Sequence, residues 1–270
     1  MEGGGSLGTP LDPEAVGSTA RPTVRPLPSA LTFDYWDTLY DSRNLPERLA
    51  YRRRAIGKLL AAYGTELTDE QIARLYSESG READRWWRDE HRGYTTAERL
   101  RWMLERLDLE PRPDCEHVAA ACDAVDDALL RYPPPLLPGA AAAVRRLRER
   151  FPLAIISDTG FASGRAQDAL LAQDGLLHLF SATVYSVDVG HAKPRPEPFR
   201  AAVAALGVKS PGDVIHIGDV ERTDVSGALA AGLRAVRLDV VRPGGPSAAE
   251  LVAGSFDELV AYICQLGDAA

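Results

Sequence analysis

Short apolar segments that end in polar or acidic side chains restrict the fold of this chain more than any other feature. Residues 30–33 are followed by Asp34, residues 154–156 by Ser157 and Asp158, and residues 214–217 by Gly218 and Asp219. One such segment would be weak evidence, because aspartate also caps ordinary turns. Recurrence is stronger evidence, because the carboxyl ends of parallel strands share one edge of an open α/β sheet. The pattern therefore predicts parallel strands that contribute to a single site.

The order of predicted elements indicates an α/β fold. From Leu137 onward, helices and strands alternate. Helices are predicted at 140–150, 164–172, 197–206, 223–231 and 256–264, and strands at 153–157, 182–187, 214–217 and 235–238. Such alternation is typical of a parallel sheet with helices on both faces. We therefore predict a Rossmann-like, doubly wound core.

The segment after the first strand has helical periodicity throughout. An amphipathic helix ends near Gly64, a capped start follows at Thr68, and further helices are predicted at 81–91, 95–107 and 116–130. Three prolines at 133–135 then end the helical pattern. The predicted domains are a disordered N-terminal segment at 1–28, an α/β core at 29–43 and 132–270, and an inserted all-α cap at 44–131.

Composition excludes several classes of partner. The net charge is −8, which argues against a general nucleic-acid or membrane-surface role. The three cysteines have no metal-ligand spacing and form no even disulfide set, so reduced thiols in a cytoplasmic protein are expected. No apolar run is long enough to span a bilayer. We therefore expect no nucleic-acid partner and no membrane association. The expected assembly is a monomer or a homodimer.

Four groups of residues then carry a resemblance to a known family. These are Phe33-Asp34-x-x-Asp37-Thr38-Leu39, Ser157, Lys193-Pro194 and Gly218-Asp219-x-x-x-x-Asp224. Their order and approximate spacing resemble the four motifs of the haloacid dehalogenase-like (HAD) hydrolase superfamily. The helical segment at 44–131 looks like that superfamily's C1-type cap. The resemblance covers nearly the whole predicted folded region and implies a hydrolase.

Charge balance independently indicates a cation at the predicted site. Asp34, Asp219 and Asp224 would bring three negative charges together, and like charges at short range cannot all stay ionised without a cation. A hard divalent ion with oxygen ligands would supply this charge, and we expect Mg²⁺. Lys193 adds one positive charge. The divalent ion and Lys193 together would balance the three carboxylates, which leaves the site receptive to a phosphate anion.

The resemblance also implies a role for each site residue. Asp34 would be the nucleophile that forms an aspartyl-phosphate, and Lys193 would stabilise charge on the phosphoryl group. The groups expected to hold phosphoryl oxygens are Ser157, Lys193 and the backbone amides near Thr159 and Gly160. The expected metal ligands are Asp34, Asp219, Asp224 and the main-chain carbonyl of Trp36.

The sequence departs from the family pattern at one position. In phosphatases of this superfamily, the second residue after the nucleophile is an aspartate that protonates the leaving group, but here it is Trp36, with Asp37 next. Losing a positioned general acid typically costs about 10²–10⁴ in rate. One hypothesis is a Mg²⁺-dependent phosphatase of a small phosphorylated metabolite, whose leaving group needs little protonation or receives its proton from Asp37 or a cap residue.

Two other hypotheses remain open. The superfamily's 2-haloacid dehalogenases carry an aromatic residue at this position and use no metal, since halide leaves without a proton. A non-catalytic module that binds a phosphorylated ligand is the third. We favour the phosphatase because Asp34, Lys193, Asp219 and Asp224 are all present.

Some residues with suggestive chemistry have simpler structural explanations. His216 alternates with isoleucines and is expected to be a buried structural histidine. Trp86, Trp87 and Trp102 are expected in the core of the cap, with one of them facing the cleft as the alternative.

Overall fold

The computed structural model describes residues 26–43, 45–110 and 116–266. The predicted disordered segment at 1–28 falls outside these ranges except for its last three residues. Within the described ranges, no helix combines the length and apolar character that crossing a membrane requires.

A six-stranded sheet lies at the centre of the molecule, and every neighbouring pair of strands is parallel. Its strands are β1 (Ala30–Phe33), β2 (Leu153–Ser157), β3 (Ala182–Tyr185), β4 (Val214–Gly218), β5 (Arg234–Leu238) and β6 (Leu251–Ala253). Their spatial order is β3-β2-β1-β4-β5-β6, so the strand order reverses beside β1. Ligands bind at such switch points in open α/β sheets. The predicted doubly wound fold is confirmed.

The described helices occupy the positions that the periodicity predicted, with local differences. They are α1 (Pro46–Ala62), α2 (Asp69–Arg88), α3 (Thr96–Glu105), α4 (Glu116–Arg131), α5 (Ala140–Arg148), α6 (Gly164–Gln173), α7 (Ser186–Val189), α8 (Pro196–Ala205), α9 (Ser226–Ala230) and α10 (Phe256–Gln265). A π-helical turn at Glu221–Val225 precedes α9.

Several local predictions were wrong. The separate helix predicted at 81–91 is the second half of α2, which starts at a capping box on Thr68 and continues through Gly80 because no proline interrupts it. The strand predicted at 182–187 ends at Tyr185, where α7 begins. Strand β6 was missed, since three residues are too few to show a period.

Alternate residues of the central strands pack on opposite faces of the sheet. Leu31, Phe33 and Ile155 contact the cluster that contains side chains of α5, α6 and α10. Ile156, one residue after Ile155, belongs instead to the cluster that contains Phe199 of α8. All of these side chains are fully buried or nearly so, and each such burial stabilises the fold by about 1.5–3 kcal/mol.

Helices α1 to α4 form their own apolar cluster over the carboxyl ends of the strands. Its fully buried members include Leu100, Met103, Leu104 and Val125. Phe161, from the loop that follows β2, also belongs to this cluster. The four helices therefore pack directly on a loop at the carboxyl edge of the sheet.

The α2–α3 loop makes a second contact with the α/β part of the chain. The amide of Ala192 donates a hydrogen bond to the carbonyl oxygen of His91 at 2.9 Å. At Gly93, a Cβ atom would lie 2.4 Å from the backbone oxygen of Ser186, closer than real Cβ contacts. Only glycine fits at this approach, so the loop is held against the edge of the sheet that carries the polar residues.

We predict that Gly93→Ala destabilises the protein, because the added methyl group must push two backbones apart. Overpacking of this kind typically costs about 1–3 kcal/mol, which corresponds to a melting temperature lower by roughly 2–10 °C. Gly212→Ala is the matched control, since its Cβ would meet nothing closer than 3.8 Å. Equal melting temperatures for the two variants, measured by calorimetry, would show that the close approach is not rigid.

Candidate active site

The polar residues that follow β1, β2 and β4 meet at one edge of the sheet. These three strands are neighbours, and the amide of Asp34 donates to the carbonyl oxygen of Ile217 at 2.8 Å. A cavity of about 550 Å³ lies between this edge and helices α1 to α3. Asp34, Lys193, Asp219 and Asp224 all line it. The structure therefore brings the four charged residues of the predicted site together.

Lys193 lies between two of the acids. Its Nζ donates to Asp34 Oδ1 at 2.5 Å and to Asp224 Oδ1 at 2.6 Å. The Lys193 side chain is 2 % exposed. Burial acts to lower the pKa of Lys193, but Asp224 and Asp34 raise it above its ordinary value. The ammonium group therefore stays charged, and it fixes the positions of both carboxylates.

Asp34 accepts hydrogen bonds on both carboxylate oxygens. Besides Lys193 on Oδ1, the hydroxyl of Thr38 donates to Oδ2 at 3.2 Å. Burial raises the pKa of Asp34 to about 7, although Lys193 acts in the opposite direction. Thr38 belongs to the first motif, but the sequence analysis gave it no role. Its contact helps to orient the predicted nucleophile.

Asp219 is the acid that lacks a protein partner. Its Oδ2 is buried and has no hydrogen-bond partner within the described residues. Burial, Asp34 and Asp224 raise the pKa of Asp219 to about 8. Ligand oxygens of Asp34, Asp219 and Asp224 all lie within 4.8 Å of one another. Three carboxylates beside one ammonium group leave excess negative charge, so this site fits a hard divalent cation.

Asp224 is positioned by the backbone around Gly218. A Cβ at Gly218 would lie 2.4 Å from the Asp224 carboxyl carbon, so the carboxylate packs directly over the end of β4. The amide of Val220 donates to Asp224 Oδ2 at 2.9 Å. Burial acts to raise the pKa of Asp224, but Lys193 and His216 hold it below its ordinary range.

His216 lies behind Asp224 and is fully buried. Its Nδ1 is 2.9 Å from Thr32 Oγ1, and its Nε2 is 3.4 Å from Asp224 Oδ1. Burial lowers the pKa of His216, which favours the neutral ring. The ring also packs edge-on against Phe199. These contacts agree with the structural role expected for this histidine.

The groups expected to hold phosphoryl oxygens are only partly available. The Ser157 hydroxyl donates to Gln167 Oε1 at 2.7 Å, and the Thr159 amide donates to Ser186 Oγ at 3.1 Å. The Thr159 amide thus has a partner in Ser186, the first residue of α7, and its expected contact with a phosphoryl oxygen stays a prediction. Gly160 lines the cavity, and nothing lies within 4 Å of where its Cβ would be.

Trp36 and Asp37 take different positions at the cavity. Trp36 packs edge-on against Tyr35 with ring centroids 4.8 Å apart, and it also lines the cavity. Asp37 has a positive φ of 56°. Its Oδ1 accepts from the Ser42 amide, and its Oδ2 accepts from the Ser42 hydroxyl and Arg242. Both carboxylate oxygens of Asp37 are therefore already engaged.

Asp158 and Trp87 also belong to the site. The sequence analysis noted Asp158 only at a strand end, and it expected Trp87 in the core of the cap or facing the cleft. Asp158 Oδ1 accepts from the Lys193 amide at 3.0 Å, and Oδ2 accepts from Trp87 Nε1 at 2.8 Å. Both residues line the cavity. The signal for Asp158 was its place directly after β2. Trp87 is the tryptophan that faces the cleft, whereas Trp86 packs against Tyr94 in a buried cluster and Trp102 borders that cluster.

The chain is similar in sequence to two phosphatases. The chain is 32% identical over 217 residues to the glyceraldehyde 3-phosphate phosphatase of Methanopyrus kandleri, an alignment that covers 77% of this chain and 83% of that protein. It is also 40% identical over 119 residues to the phosphoserine phosphatase of Thermus thermophilus, covering 44% of this chain and 46% of that protein.

A solved structure with a similar fold has a different activity in its name. The 2-haloacid dehalogenase of Pseudomonas syringae pv. Tomato superposes with a TM-score of 0.64 and 21% identity, over 88% of this chain and 99% of that one. At this identity the likeness shows the fold alone. The family model for haloacid dehalogenase-like hydrolases matches residues 28–232, which contain every strand of the sheet except those after β4. Together with the charged site at the edge of that sheet, this match shows that the chain belongs to the haloacid dehalogenase-like hydrolase family.

Proposed function

We propose that this protein is a Mg²⁺-dependent phosphatase that hydrolyses a small phosphorylated metabolite through an aspartyl-phosphate on Asp34. The observation that carries the proposal is the group of three carboxylates within 4.8 Å, one of them without a protein partner, beside Lys193. The phosphatase name of the Methanopyrus kandleri relative supports the same reaction class.

The proposed metal ligands are the carboxylates of Asp34, Asp219 and Asp224, together with the main-chain carbonyl of Trp36. Oxygen donors of this kind suit Mg²⁺, which keeps several waters in such sites. When bound, the ion would offset the excess negative charge and polarise the phosphoryl group. The unpartnered Asp219 Oδ2 is the atom that most needs such a ligand.

Asp34 would act as the nucleophile in the first step. Its carboxylate oxygen forms a bond to phosphorus as the bond to the ester oxygen breaks, and water then hydrolyses the acyl phosphate and regenerates Asp34. Lys193 holds Asp34 Oδ1 and would stabilise negative charge on the phosphoryl oxygens. Thr38 holds the other carboxylate oxygen, so the side chain is already oriented before the substrate binds.

The leaving group would depart without help from residue 36, because the indole N–H of tryptophan is too weakly acidic to act as a general acid. An ester whose leaving group needs little protonation is better supported than proton delivery by Asp37. Ser42 and Arg242 already donate to both Asp37 oxygens. Within this proposal, the other candidate for delivering a proton to the leaving group is a residue of the cap.

The second candidate function is hydrolysis of a carbon–halogen bond. Trp36 favours it, since an aromatic residue at this position is what the resemblance implies for 2-haloacid dehalogenases. Asp219 argues against it, because a metal-free reaction leaves this buried carboxylate without a counter-charge.

We further propose that residues 44–131 act as a cap over a core formed by 29–43 and 132–270. The cavity lies between the two parts, and Trp87 bonds across it to Asp158. Such a cap would exclude water and select the substrate. A cytoplasmic location and a monomeric or homodimeric state stay predictions of the sequence analysis.

We predict that Asp34→Asn lowers hydrolysis of p-nitrophenyl phosphate by at least about 10³-fold, since an amide cannot attack phosphorus. Wild-type activity should require Mg²⁺ and stop with EDTA, and no chloride should be released from 2-chloropropionate. Glu66→Gln, which removes an exposed carboxylate between α1 and α2, is the control for charge.

Two results would contradict this assignment. Phosphatase activity that ignores EDTA would exclude the metal site. Metal-independent chloride release that Asp34→Asn abolishes would establish the dehalogenase reaction instead.

We predict that Asp219→Asn stabilises the metal-free protein at pH 8.5 while removing its response to Mg²⁺. The substitution deletes a buried carboxylate that has no protein partner, and such a charge is costly. Mg²⁺ should raise the melting temperature of the wild type, because it binds the folded state alone. An unchanged Mg²⁺ response in Asp219→Asn, beside that of Glu66→Gln, would place the ion elsewhere.

The raised pKa values of Asp34 and Asp219, about 7 and about 8, predict a pH-dependent stability without metal. Folded carboxyl groups with raised pKa values hold protons that the unfolded chain has released, so their contribution is lost as pH rises from about 4 towards 8. We expect the melting temperature in EDTA to fall between pH 5 and pH 8.5. The fall should be smaller in Asp219→Asn, and a parallel fall in both proteins would contradict this origin.

A further inference from the structure

The helical wall of the cavity carries a charge opposite to that of the acidic edge. Arginine side chains of α1 and α3 line this wall, and we call them the arginine cluster: Arg48, Arg52, Arg53 and Arg99. The whole chain has a net charge of −8, so a concentration of positive charge in this cavity needs a local explanation. The sequence analysis assigned no role to any of these residues.

Arg99 has a structural explanation. It donates to Ser79 Oγ at 3.0 Å and to the Tyr76 carbonyl oxygen at 3.2 Å. Its guanidinium also lies 4.0 Å from the centroid of the Phe161 ring. These contacts provide hydrogen-bond acceptors for Arg99. They also hold the ring of Phe161, against which Arg52 packs.

Arg48 and Arg52 are buried without comparable partners. They are 2 % and 6 % exposed, respectively. Arg48 Nη2 donates to the Arg43 carbonyl oxygen at 2.5 Å, but Arg48 Nε, Arg48 Nη1 and Arg52 Nε have no hydrogen-bond partner in the described chain. Neither guanidinium has a carboxylate within 4.0 Å among the described residues, whereas exposed arginines such as Arg85 are paired. Buried charges are normally paired, so this arrangement lacks an anion.

The position of these two residues gives them a common direction. Arg48 and Arg52 are four residues apart on α1, so they lie on the same face of the helix. Arg52 rests 5.6 Å from the centroid of Phe161, which follows the cavity-lining Gly160. Burial and the adjacent Arg52 lower the pKa of Arg48 to about 10, although Tyr76 and Asp41 act in the opposite direction.

We propose that Arg48 and Arg52 bind an anionic group at the non-reacting end of the substrate. The substrate class is then a small phosphate ester that carries a second anion, either a carboxylate or another phosphate. Guanidinium groups bind both kinds of anion through paired N–H donors. A cavity of about 550 Å³ is large enough for a metabolite of this size. This inference rests on the proposed function, because it places the reacting phosphate at Asp34.

The test compares matched esters that differ in the second anion. Phosphoglycolate against ethyl phosphate reports on a carboxylate, and 1,3-propanediol bisphosphate against propyl phosphate reports on a second phosphate. We expect the wild type to prefer one or both anionic esters by at least about tenfold in kcat/KM. The arm with the larger preference identifies the anion.

Arg48→Gln and Arg52→Gln should each reduce that preference at least about tenfold, mainly through KM, because charge-assisted hydrogen bonds to the second anion are lost. Arg52→Lys should restore part of it. Arg54→Gln is the matched control: it removes the same charge from the same helix, but Arg54 is exposed and borders a different pocket. The preference should survive in Arg54→Gln.

Binding without turnover separates this inference from the proposed function. In the Asp34→Asn background, calorimetry should detect phosphoglycolate or the bisphosphate with Mg²⁺, and the added Arg52→Gln should weaken that binding at least about tenfold. Such binding, with no wild-type hydrolysis of these esters or of p-nitrophenyl phosphate, would overturn the phosphatase but keep the anion site. Two results would overturn the anion site. The first is an equal loss of kcat/KM for the esters with and without the second anion in folded Arg48→Gln and Arg52→Gln. The second is a wild type that shows no preference between these esters, together with unchanged ligand binding when Arg52→Gln is added.

Discussion

The contact between Lys193 and two carboxylates is the interaction on which the site depends. One ammonium group, buried at the carboxyl edge of the sheet, holds Asp34 and Asp224 at hydrogen-bond distance. It cannot also neutralise Asp219, whose Oδ2 has no partner among the described residues. The folded chain therefore holds an unbalanced negative charge that a divalent cation would offset. The proposed metal ligands and the expected response of stability to pH both follow from this imbalance, and the proposed nucleophile is one of the acids that Lys193 holds.

The fold supplies this arrangement through its parallel sheet. Neighbouring strands β2, β1 and β4 end at one edge, so residues almost 200 positions apart in the chain become neighbours. The helical segment then covers the edge through Phe161, the Gly93 loop and the Trp87–Asp158 hydrogen bond. Burial under these helices is also what raises the pKa values of Asp34 and Asp219. The same cover brings a positive wall to face a negative one across the cavity.

Similarity in fold does not decide the reaction of this chain. A phosphatase from Thermococcus onnurineus and a 2-haloacid dehalogenase both superpose on it at less than 25% identity. The acids that would hold a metal favour the phosphatase, whereas Trp36 leaves the leaving group without the usual proton donor. If Arg48 and Arg52 bind a second anion, substrate binding energy from that remote contact becomes available to the reaction. Binding energy from the arginine cluster would then compensate for the missing proton donor at residue 36.

The sequence alone determined the parallel α/β fold and the four charged residues of the site, because strand ends and motif spacing are local signals. It also predicted the capped start of α2 and the buried role of His216. Only the tertiary structure decided which polar groups are free. Gln167 and Ser186 engage Ser157 and the Thr159 amide, and Trp87 faces the cleft. The tertiary structure also placed Arg48 and Arg52 on the cavity wall without carboxylate partners among the described residues. These facts depend on which side chains from distant segments meet, and no local period in a sequence records that.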